Sequence, residues 1–313
     1  MTDAADPFAA DAAAVHDALE EINALRAGKR RAVLLTAAGV VAAGAAAFLL
    51  TASTDLWWLA LAVAILGVIV LIVVAVVAQA QVTGAMQARV MPILCRMAGG
   101  FDYAAKGAPG MDLRAAGILP KGNILRSEDQ VSGTLGETAF TSWDVTVKDE
   151  RSSTDAEGRS TTNTVTLFRG LIVEARTGTG RDLALHRPRG AVTRFLKGLF
   201  GMDVETETIE AAGTELEVDA HPGEYDRGEL ARAAEALIAA FPEGSRFEGL
   251  LQRGGTAVIA LHTGRDHYAM GGLFTSAAGM RRKTQEALED LALPARIAAT
   301  WAAQEAMVPR ADA

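Results

Sequence analysis

Two long runs without charged side chains dominate the first third of the chain. Between Arg31 and Gln79 the one charged residue is Asp55, which lies in a short polar break between the runs. The runs themselves, 32–52 and 56–78, each have the roughly 20 residues that an α-helix needs to cross about 30 Å of hydrocarbon. Core helices of soluble proteins rarely extend so far without a polar face. The sequence therefore predicts two membrane-spanning helices joined as a hairpin.

A cleaved signal peptide is the alternative interpretation of a basic cluster followed by an apolar run. Six acidic residues precede the cluster, and a second apolar run follows the first after a short break. The first run is longer than the apolar core of a signal peptide, which spans about 7–15 residues. These features favour a retained anchor.

Orientation follows from the cations that flank the runs, because Lys and Arg close to a span tend to remain in the cytoplasm. The connecting break has none. The flanking cations are Arg26, Lys29, Arg30 and Arg31 before the first run, and Arg89, Arg96 and Lys106 after the second. We expect a multi-pass membrane protein with both termini in the cytoplasm.

Apolar residues continue at helical spacing on both sides of the hairpin. Residues 1–31 are expected to form a cytoplasmic amphipathic helix, and residues 79–99 a juxtamembrane helix that Pro92 kinks or ends. The two apolar stripes either bury each other as an antiparallel stalk or pack on the soluble domain. Their members are Val15, Leu19, Ile22 and Leu25 in the first stripe, and Val82, Met86, Val90, Leu94 and Met97 in the second.

The pattern of residues 100–313 predicts a cytoplasmic α+β domain with a β-sheet and flanking helices. The sheet is expected to be antiparallel, because the links between strands are too short for parallel crossovers. A polar flexible loop is predicted at 149–162, and helices are predicted at 229–241 and on either side of Pro294. The predicted strands are 130–135, 139–147, 165–168, 171–175, 183–186, a hairpin within 204–220 that turns at Ala212-Gly213, and a second hairpin made of 256–263 and 267–274. Alternation along 139–147 places Trp143, Val145 and Val147 on one face. Residues 101–119 are predicted to form a loop with one short helix.

One stretch of this domain resembles a known family. The run Ile124-Leu125-Arg126-Ser127-Glu128-Asp129-Gln130-Val131-Ser132-Gly133-Thr134-Leu135-Gly136 is followed by Phe168-Arg169-Gly170-Leu171 after a polar segment. This order is similar to the bacterial membrane family called domain of unknown function 3137. The motif residues are Asp129, Val131, Gly133, Phe168 and Gly170. The resemblance covers 118–175 and implies a two-helix anchor before a soluble domain, without an assigned activity. It also implies that the membrane is the inner (cytoplasmic) membrane of a bacterium.

Motifs for catalysis and cofactor binding are missing from the sequence. There is no phosphate-binding Gly-rich loop ending in Lys-Ser/Thr, no dinucleotide fingerprint and no nucleophile elbow. Cys95 is the single cysteine, so an intramolecular disulfide and a zinc-thiolate cluster are excluded. A formal charge of −8 disfavours nucleic-acid binding. We expect no cofactor.

The segment His262-Thr263-Gly264-Arg265-Asp266-His267 is the one constellation that could hold a metal ion. If residues 263–266 form the loop of a hairpin, His262 and His267 face each other with Cβ atoms about 5 Å apart. Asp266 would lie in the turn, where a carboxylate more often caps backbone N–H groups. A structural histidine pair is the favoured interpretation, and a metal-assisted hydrolase is the alternative.

A basic segment at 181–197 is a candidate for contact with anionic lipid. On a helix that begins near Ala191, its cations and aromatic residues would occupy adjoining faces. An ordinary helix that buries Phe195 and Leu199 in the core is favoured over this. The candidate lipid-contacting residues are Arg187, Arg189, Arg194 and Lys197.

These observations predict a membrane-anchored binding, scaffolding or sensing module rather than an enzyme. Its expected partners are the lipid bilayer and another membrane or cytoplasmic protein, and self-association is left open. An accessory subunit of a transport or envelope complex is an alternative that differs in the partner alone.

Overall fold

The computed structural model describes residues 7–51, 56–111, 113–114, 116–154, 158–188 and 205–309, with side chains from residue 10 onward. The chain divides into two compact units. The helical unit contains Met1–Met97 and Ala269–Glu286, and the sheet unit contains Ala98–Tyr268 and Ala287–Ala313. Residues 269–286 thus belong with the amino-terminal helices, although the sequence assigned them to the soluble domain.

The helical unit is built on α1 (Pro7–Thr51), α2 (Trp57–Arg89) and α3 (Met91–Gly99). Helices α1 and α2 are each long and apolar enough to cross a membrane. Their apolar side chains are mostly exposed, for example Leu34 at 66% and Leu50 at 79%. Water-exposed apolar surface costs about 25 cal/mol per Å². This surface therefore suits a lipid environment, and the prediction of two long apolar helices is confirmed.

Beyond the apolar runs, α1 and α2 are buried along the two stripes identified in the sequence. Leu19 and Ile22 on α1 are buried, as are Val82 and Met86 on α2. Ion pairs join the same region, from Arg89 to Glu21 and, at 3.3 Å, from Arg96 to Asp11. Helix α2 ends just before Pro92, which lies in the first turn of α3, where proline is tolerated because that N–H has no helical acceptor.

In the described residues the sheet unit contains nine strands in one antiparallel sheet, so the α+β prediction is confirmed. The strand order is β1-β2-β3-β4-β9-β8-β5-β7-β6. The strands are β1 (Asp102–Lys106), β2 (Ile124–Leu135), β3 (Thr138–Thr154), β4 (Ser160–Arg176), β5 (Leu183–His186), β6 (Glu205–Ala211), β7 (Thr214–Ala220), β8 (Arg246–Arg253) and β9 (Thr256–His262). Strands β6 and β7 form the hairpin predicted to turn at Ala212-Gly213.

The loop predicted at 149–162 is wrong, because most of this segment is a β-ribbon. Strands β3 and β4 are paired from Glu150↔Thr164 to Thr154↔Ser160. Residues 155–157 lie outside the described residues. The ribbon's side chains are exposed and polar. Backbone pairing supplies its hydrogen bonds without a buried face, so the hydrophobic alternation that marks most strands is absent.

Two further helices complete the described chain. Helix α4 (Arg227–Ala239) begins at Asp226, whose carboxylate accepts a hydrogen bond from the Glu229 N–H at 2.9 Å. Helix α5 (Ala277–Met307) runs through Pro294, so the prediction of separate helices on either side of this proline is wrong. A proline inside a helix costs about 3 kcal/mol. Burial of Leu291 and Ile297 offsets that cost.

The core beneath one face of the sheet includes the stripe predicted on β3. Trp143, Val145 and Val147 are buried there with Phe168 of β4. The segment between β1 and β2, read from sequence as a loop, covers them with Leu113, Ala116, Ile118 and Leu119. Because side chains alternate along a strand, the intervening residues of β3 face the other way.

Candidate functional site

The residues of β3 that alternate with the buried stripe line a charged cleft of about 200 Å³. Asp144, Thr146 and Lys148 form its floor. Strands β2 and β4 border β3 on its two sides, and the loop after β9 adds one residue. The flanking residues are Arg126, Glu128 and Asp129 from β2, Thr166 and Arg169 from β4, and Asp266 from the loop.

Two β-bulges direct additional side chains into this cleft. On β2 the register shifts between Glu128 and Val131, so that Asp129 joins the residues of the cleft. On β4 the register skips Leu167, because Val147 pairs with Phe168 and Lys148 with Thr166. Bulges are enriched beside functional sites because they redirect a side chain that regular alternation would send to the other face.

Charges of opposite sign are separated along the cleft. Cross-strand pairing places Arg126, Thr146 and Arg169 in a central row. Lys148 and Thr166 form the row on one side of it. The row on the other side holds Glu128 directly opposite Asp144. Successive rows are about 7 Å apart, since two residues of a strand span that distance. One end of the cleft is thus cationic and the other acidic.

Asp144 is a buried carboxyl of the cleft whose pKa is strongly raised. Its side chain is 8% exposed, and burial raises its pKa to about 7. The backbone N–H of His267 donates to Oδ2 at 2.9 Å and opposes the shift, whereas the charges of Asp266 and Asp129 add to it. A carboxyl that titrates near neutral pH within a cleft is typical of functional sites.

Asp129 is held in an unusual backbone conformation. Its φ is 50°, in the left-handed region that non-glycine residues rarely adopt. The Tyr103 hydroxyl donates to its carboxylate from β1, and the side chain is buried. Backbone strain of about 1–3 kcal/mol concentrates at functional sites, where surrounding contacts maintain it. The bulge therefore fixes a carboxylate at the acidic end.

The cleft's cations differ in how far they are already paired. Arg169 lies 3.1 Å from Asp266. The side chains of Arg126 and Lys148 make no hydrogen bond or ion pair with any residue that the structure describes. Both remain available to an anion.

The predicted hairpin across residues 263–266 is wrong. Strand β9 ends at His262 and pairs with β8 and β4, and residues 267–274 are turns and irregular structure. His262 and His267 therefore do not face each other across paired strands. His267 is buried, with Nδ1 3.1 Å from Asp290 and Nε2 2.8 Å from the Thr263 hydroxyl. Burial lowers the pKa of His262, with a further contribution from Arg246.

The predicted metal site depended on His262 and His267 facing each other across a hairpin, and the structure does not place them in that way. Among the described residues no group of three or more His, Cys, Asp or Glu side chains has the arrangement of a metal site. Asp266 instead pairs with Arg169 in the cleft, as noted above. Its position there was not foreseen, because sequence spacing relates it to the histidines rather than to β4.

The residues of the family-like motif have distinct structural positions. Val131 and Phe168 are fully buried, and Asp129 forms the bulge. A Cβ on Gly133 would lie 2.7 Å from the Phe101 ring. A Cβ on Gly170 would lie 2.0 Å from the Leu261 carbonyl oxygen of β9. The motif thus joins one residue of the cleft to four positions of close packing.

The candidate lipid-binding segment at 181–197 is described only in part. Arg187 follows β5, is half-buried and borders a separate cleft with Glu215, Arg246 and Glu248. Arg189, Arg194 and Lys197 lie outside the described residues. Lipid contact by this segment remains a prediction.

A buried hydrogen-bonded pair that was not predicted from the sequence lies between β5 and β7. His186 and Asp219 are both fully buried, with Nε2 and Oδ2 3.0 Å apart. The second ring nitrogen lies 3.0 Å from the Arg187 carbonyl oxygen. Burial opposes protonation of His186, but the hydrogen bonds to Asp219 and Arg187 outweigh it and raise the pKa. Both side chains are fully buried, and their contact links β5 to β7.

Comparisons with known proteins assign no family to this chain. No family model matches the chain, and no curated protein matches it. Among solved structures it is similar to the crystal structure of the mycobacterial trehalose monomycolate transport factor A, TtfA, with 13% identity and a TM-score of 0.30. The match covers 66% of this chain and 96% of that chain. A likeness at this TM-score carries no inference about function, and the resemblance to domain of unknown function 3137 stays a prediction.

Proposed function

We propose that this chain is a membrane-anchored binding module of the bacterial inner membrane, whose sheet unit recognises a small zwitterion from the cytoplasm. The observation that carries the proposal is the separation of charges within one cleft. Lys148 lies in the row at one end and Arg126 in the central row, and neither side chain is paired with a described residue. Glu128 and Asp144 lie in the row at the other end.

Arginine and lysine together suit a carboxylate or phosphate group. Arginine offers a planar set of N–H donors, and lysine adds a compact charge. At the acidic end, a primary ammonium could donate to Glu128 and Asp144. The rows are about 7 Å apart, the distance of two strand residues. A volume of about 200 Å³ restricts the ligand to the size of an amino acid or phosphoethanolamine.

The anchoring half of the proposal is supported by the exposed apolar surface of α1 and α2. In the most apolar 18-residue stretch of each helix, 6% of the residues are buried. Neither helix therefore has the buried face of a core helix. The cations at the ends of both runs favour a cytoplasmic position for the sheet unit. A binding module tethered in this way would sense or hold its ligand beside the membrane.

The cleft can be tested by thermal unfolding of the full chain in detergent with a panel of small solutes. The panel contains zwitterions (free amino acids and phosphoethanolamine), simple anions (phosphate and acetate) and simple amines. We expect at least one zwitterion to raise the Tm more than the anions or amines. Ligand at 100 times its Kd stabilises the folded state by about 2.7 kcal/mol.

Matched double variants locate the effect. Arg126→Gln with Lys148→Gln should abolish the zwitterion-dependent rise in Tm. The control, Lys121→Gln with Arg151→Gln, removes two exposed cations outside the cleft and should retain it. An equal rise in both double variants, or no rise with any zwitterion, would contradict the proposal.

A further inference from the structure

A turn at residues 271–275 is hydrogen-bonded to both long helices of the helical unit. Arg30 on α1 donates to the Leu273 carbonyl oxygen at 2.5 Å and to the Thr275 carbonyl oxygen at 2.8 Å. Gln79 on α2 accepts a hydrogen bond from the Leu273 N–H at 2.7 Å. The turn is closed by a bond from the Thr275 N–H to the Gly272 carbonyl at 3.1 Å. These contacts fix its position along the helix axes.

That position is the edge of the lipid-suited surface. Leu34, which is 66% exposed, follows Arg30 by four residues, or about 6 Å along the helix. On α2, Val76 and Val77 precede Gln79 and are also exposed. The turn therefore lies where the apolar surface of both helices begins.

The turn presents one large apolar side chain. Phe274 is 69% exposed, although its neighbour Leu273 is fully buried. A single exposed aromatic residue on a soluble surface needs no explanation. At the edge of two apolar helices it extends their surface, and aromatic rings are enriched at the level of lipid headgroups.

Cations follow on the first turns of α5. Arg281 and Arg282 are exposed and Lys283 is half-exposed. The preceding residue, Met280, is buried and contacts the Arg26 guanidinium, one helical turn before Arg30. The cations thus start about 6 Å beyond the edge of the apolar surface, which is the depth of the headgroup layer. Glu286 lies 3.5 Å from Arg282.

We propose that residues 271–283 form a second membrane contact, in which Phe274 enters the interface and the cations of α5 bind anionic headgroups. The proposal rests on the membrane anchoring proposed above. It adds a specific surface, carried by a segment distant in sequence from the spanning helices. Its partner is a bilayer that contains anionic lipid.

The experiment uses the full chain with Cys95→Ala, reconstituted into lipid nanodiscs. An environment-sensitive fluorophore is attached to one cysteine at a time: Phe274→Cys, Leu34→Cys within the first apolar run, or Ala13→Cys, about 25 Å before Arg30 along α1. Nitroxide-labelled lipids then quench fluorophores in or near the bilayer. We expect quenching at positions 34 and 274 and little at position 13.

The three positions separate failure of this inference from failure of the anchor. Quenching at position 34 without quenching at 274 would overturn the second contact and leave the anchor intact. No quenching at position 34 would overturn the anchor itself.

The role of the cations is tested by changing the lipid. Anionic phosphatidylglycerol in the nanodiscs should increase quenching at position 274 relative to phosphatidylcholine alone, since each surface cation contributes about 1 kcal/mol of attraction. Arg281→Gln with Lys283→Gln should remove that increase. Arg151→Gln with Arg253→Gln, a pair of exposed cations on the sheet unit, should leave it unchanged. An increase that survives the first double variant would refute the assignment of the headgroup contact to α5.

Discussion

Gly170→Ala should lower the free energy of unfolding of the sheet unit by about 3 kcal/mol, the upper range of overpacking effects. The added Cβ would lie 2.0 Å from the Leu261 carbonyl oxygen and 2.9 Å from the Thr263 nitrogen. Both contacts are with backbone atoms, so no side-chain rotation can relieve them. Strands β4 and β9 would have to separate where Gly170 pairs with His262.

Urea unfolding of the full chain in detergent, followed by tryptophan fluorescence, measures this loss, because Trp143 and Trp301 are buried in the sheet unit. Gly178→Ala is the matched control. A Cβ at Gly178 meets no atom within 4 Å, so its unfolding free energy should change little. A loss of the same size in both variants would show that the close approach of β9 is not its cause.

Asp144→Asn should raise the free energy of unfolding at pH 8 by about 2–4 kcal/mol, since one pKa unit corresponds to about 1.36 kcal/mol. Burial raises the pKa of Asp144 to about 7, from 3.8. The folded state therefore holds a proton that the unfolded state has already lost, and wild-type stability falls between about pH 4 and pH 7. Asparagine has no proton to lose and can still accept from the His267 N–H.

The pH dependence of the difference identifies the cause. Urea unfolding at about pH 4 should give similar free energies for wild type and Asp144→Asn, with the gap opening as the pH rises to 8. The control Asp102→Asn changes an exposed carboxyl on β1 and should follow the wild type throughout. A gap of constant size across this range would indicate an effect of packing rather than titration.

Patterns that report burial were the most informative parts of the sequence. The two apolar runs correspond to α1 and α2, because their length and lack of charge have few alternatives in a folded chain. Trp143, Val145 and Val147 were placed on one face of β3 by alternation alone, and they are buried together.

Elements without a burial pattern were misread. The ribbon of β3 and β4 is polar and exposed, so backbone pairing was the only feature that could have revealed it. Residues 267–274 show the alternation of a strand, but the burial of His267 and Leu273 arises from turns. Pro294 suggested a helix end, yet packing of its neighbours keeps α5 continuous.

The cleft could not be predicted from the sequence, because its residues are brought together by the way in which the strands pair. Asp129 and Arg169 are 40 residues apart, and Asp129 and Thr166 reach the cleft beside bulges that simple alternation does not predict. Asp266 comes from a loop after β9, which joins the sheet beside β4. The sequence supplied the residue Asp129 through the family-like motif, without its chemical surroundings.

Topology in living cells tests most directly the claim that a membrane hairpin holds the sheet unit and its cleft in the cytoplasm. Alkaline phosphatase, which is active only outside the cytoplasm, would be fused after Thr54 or after Ala313, and a fluorescent reporter that matures only in the cytoplasm would be fused at the same positions. We expect phosphatase activity at Thr54 and fluorescence at Ala313. Phosphatase activity at Ala313 would place the cleft on the other side of the membrane and contradict the account.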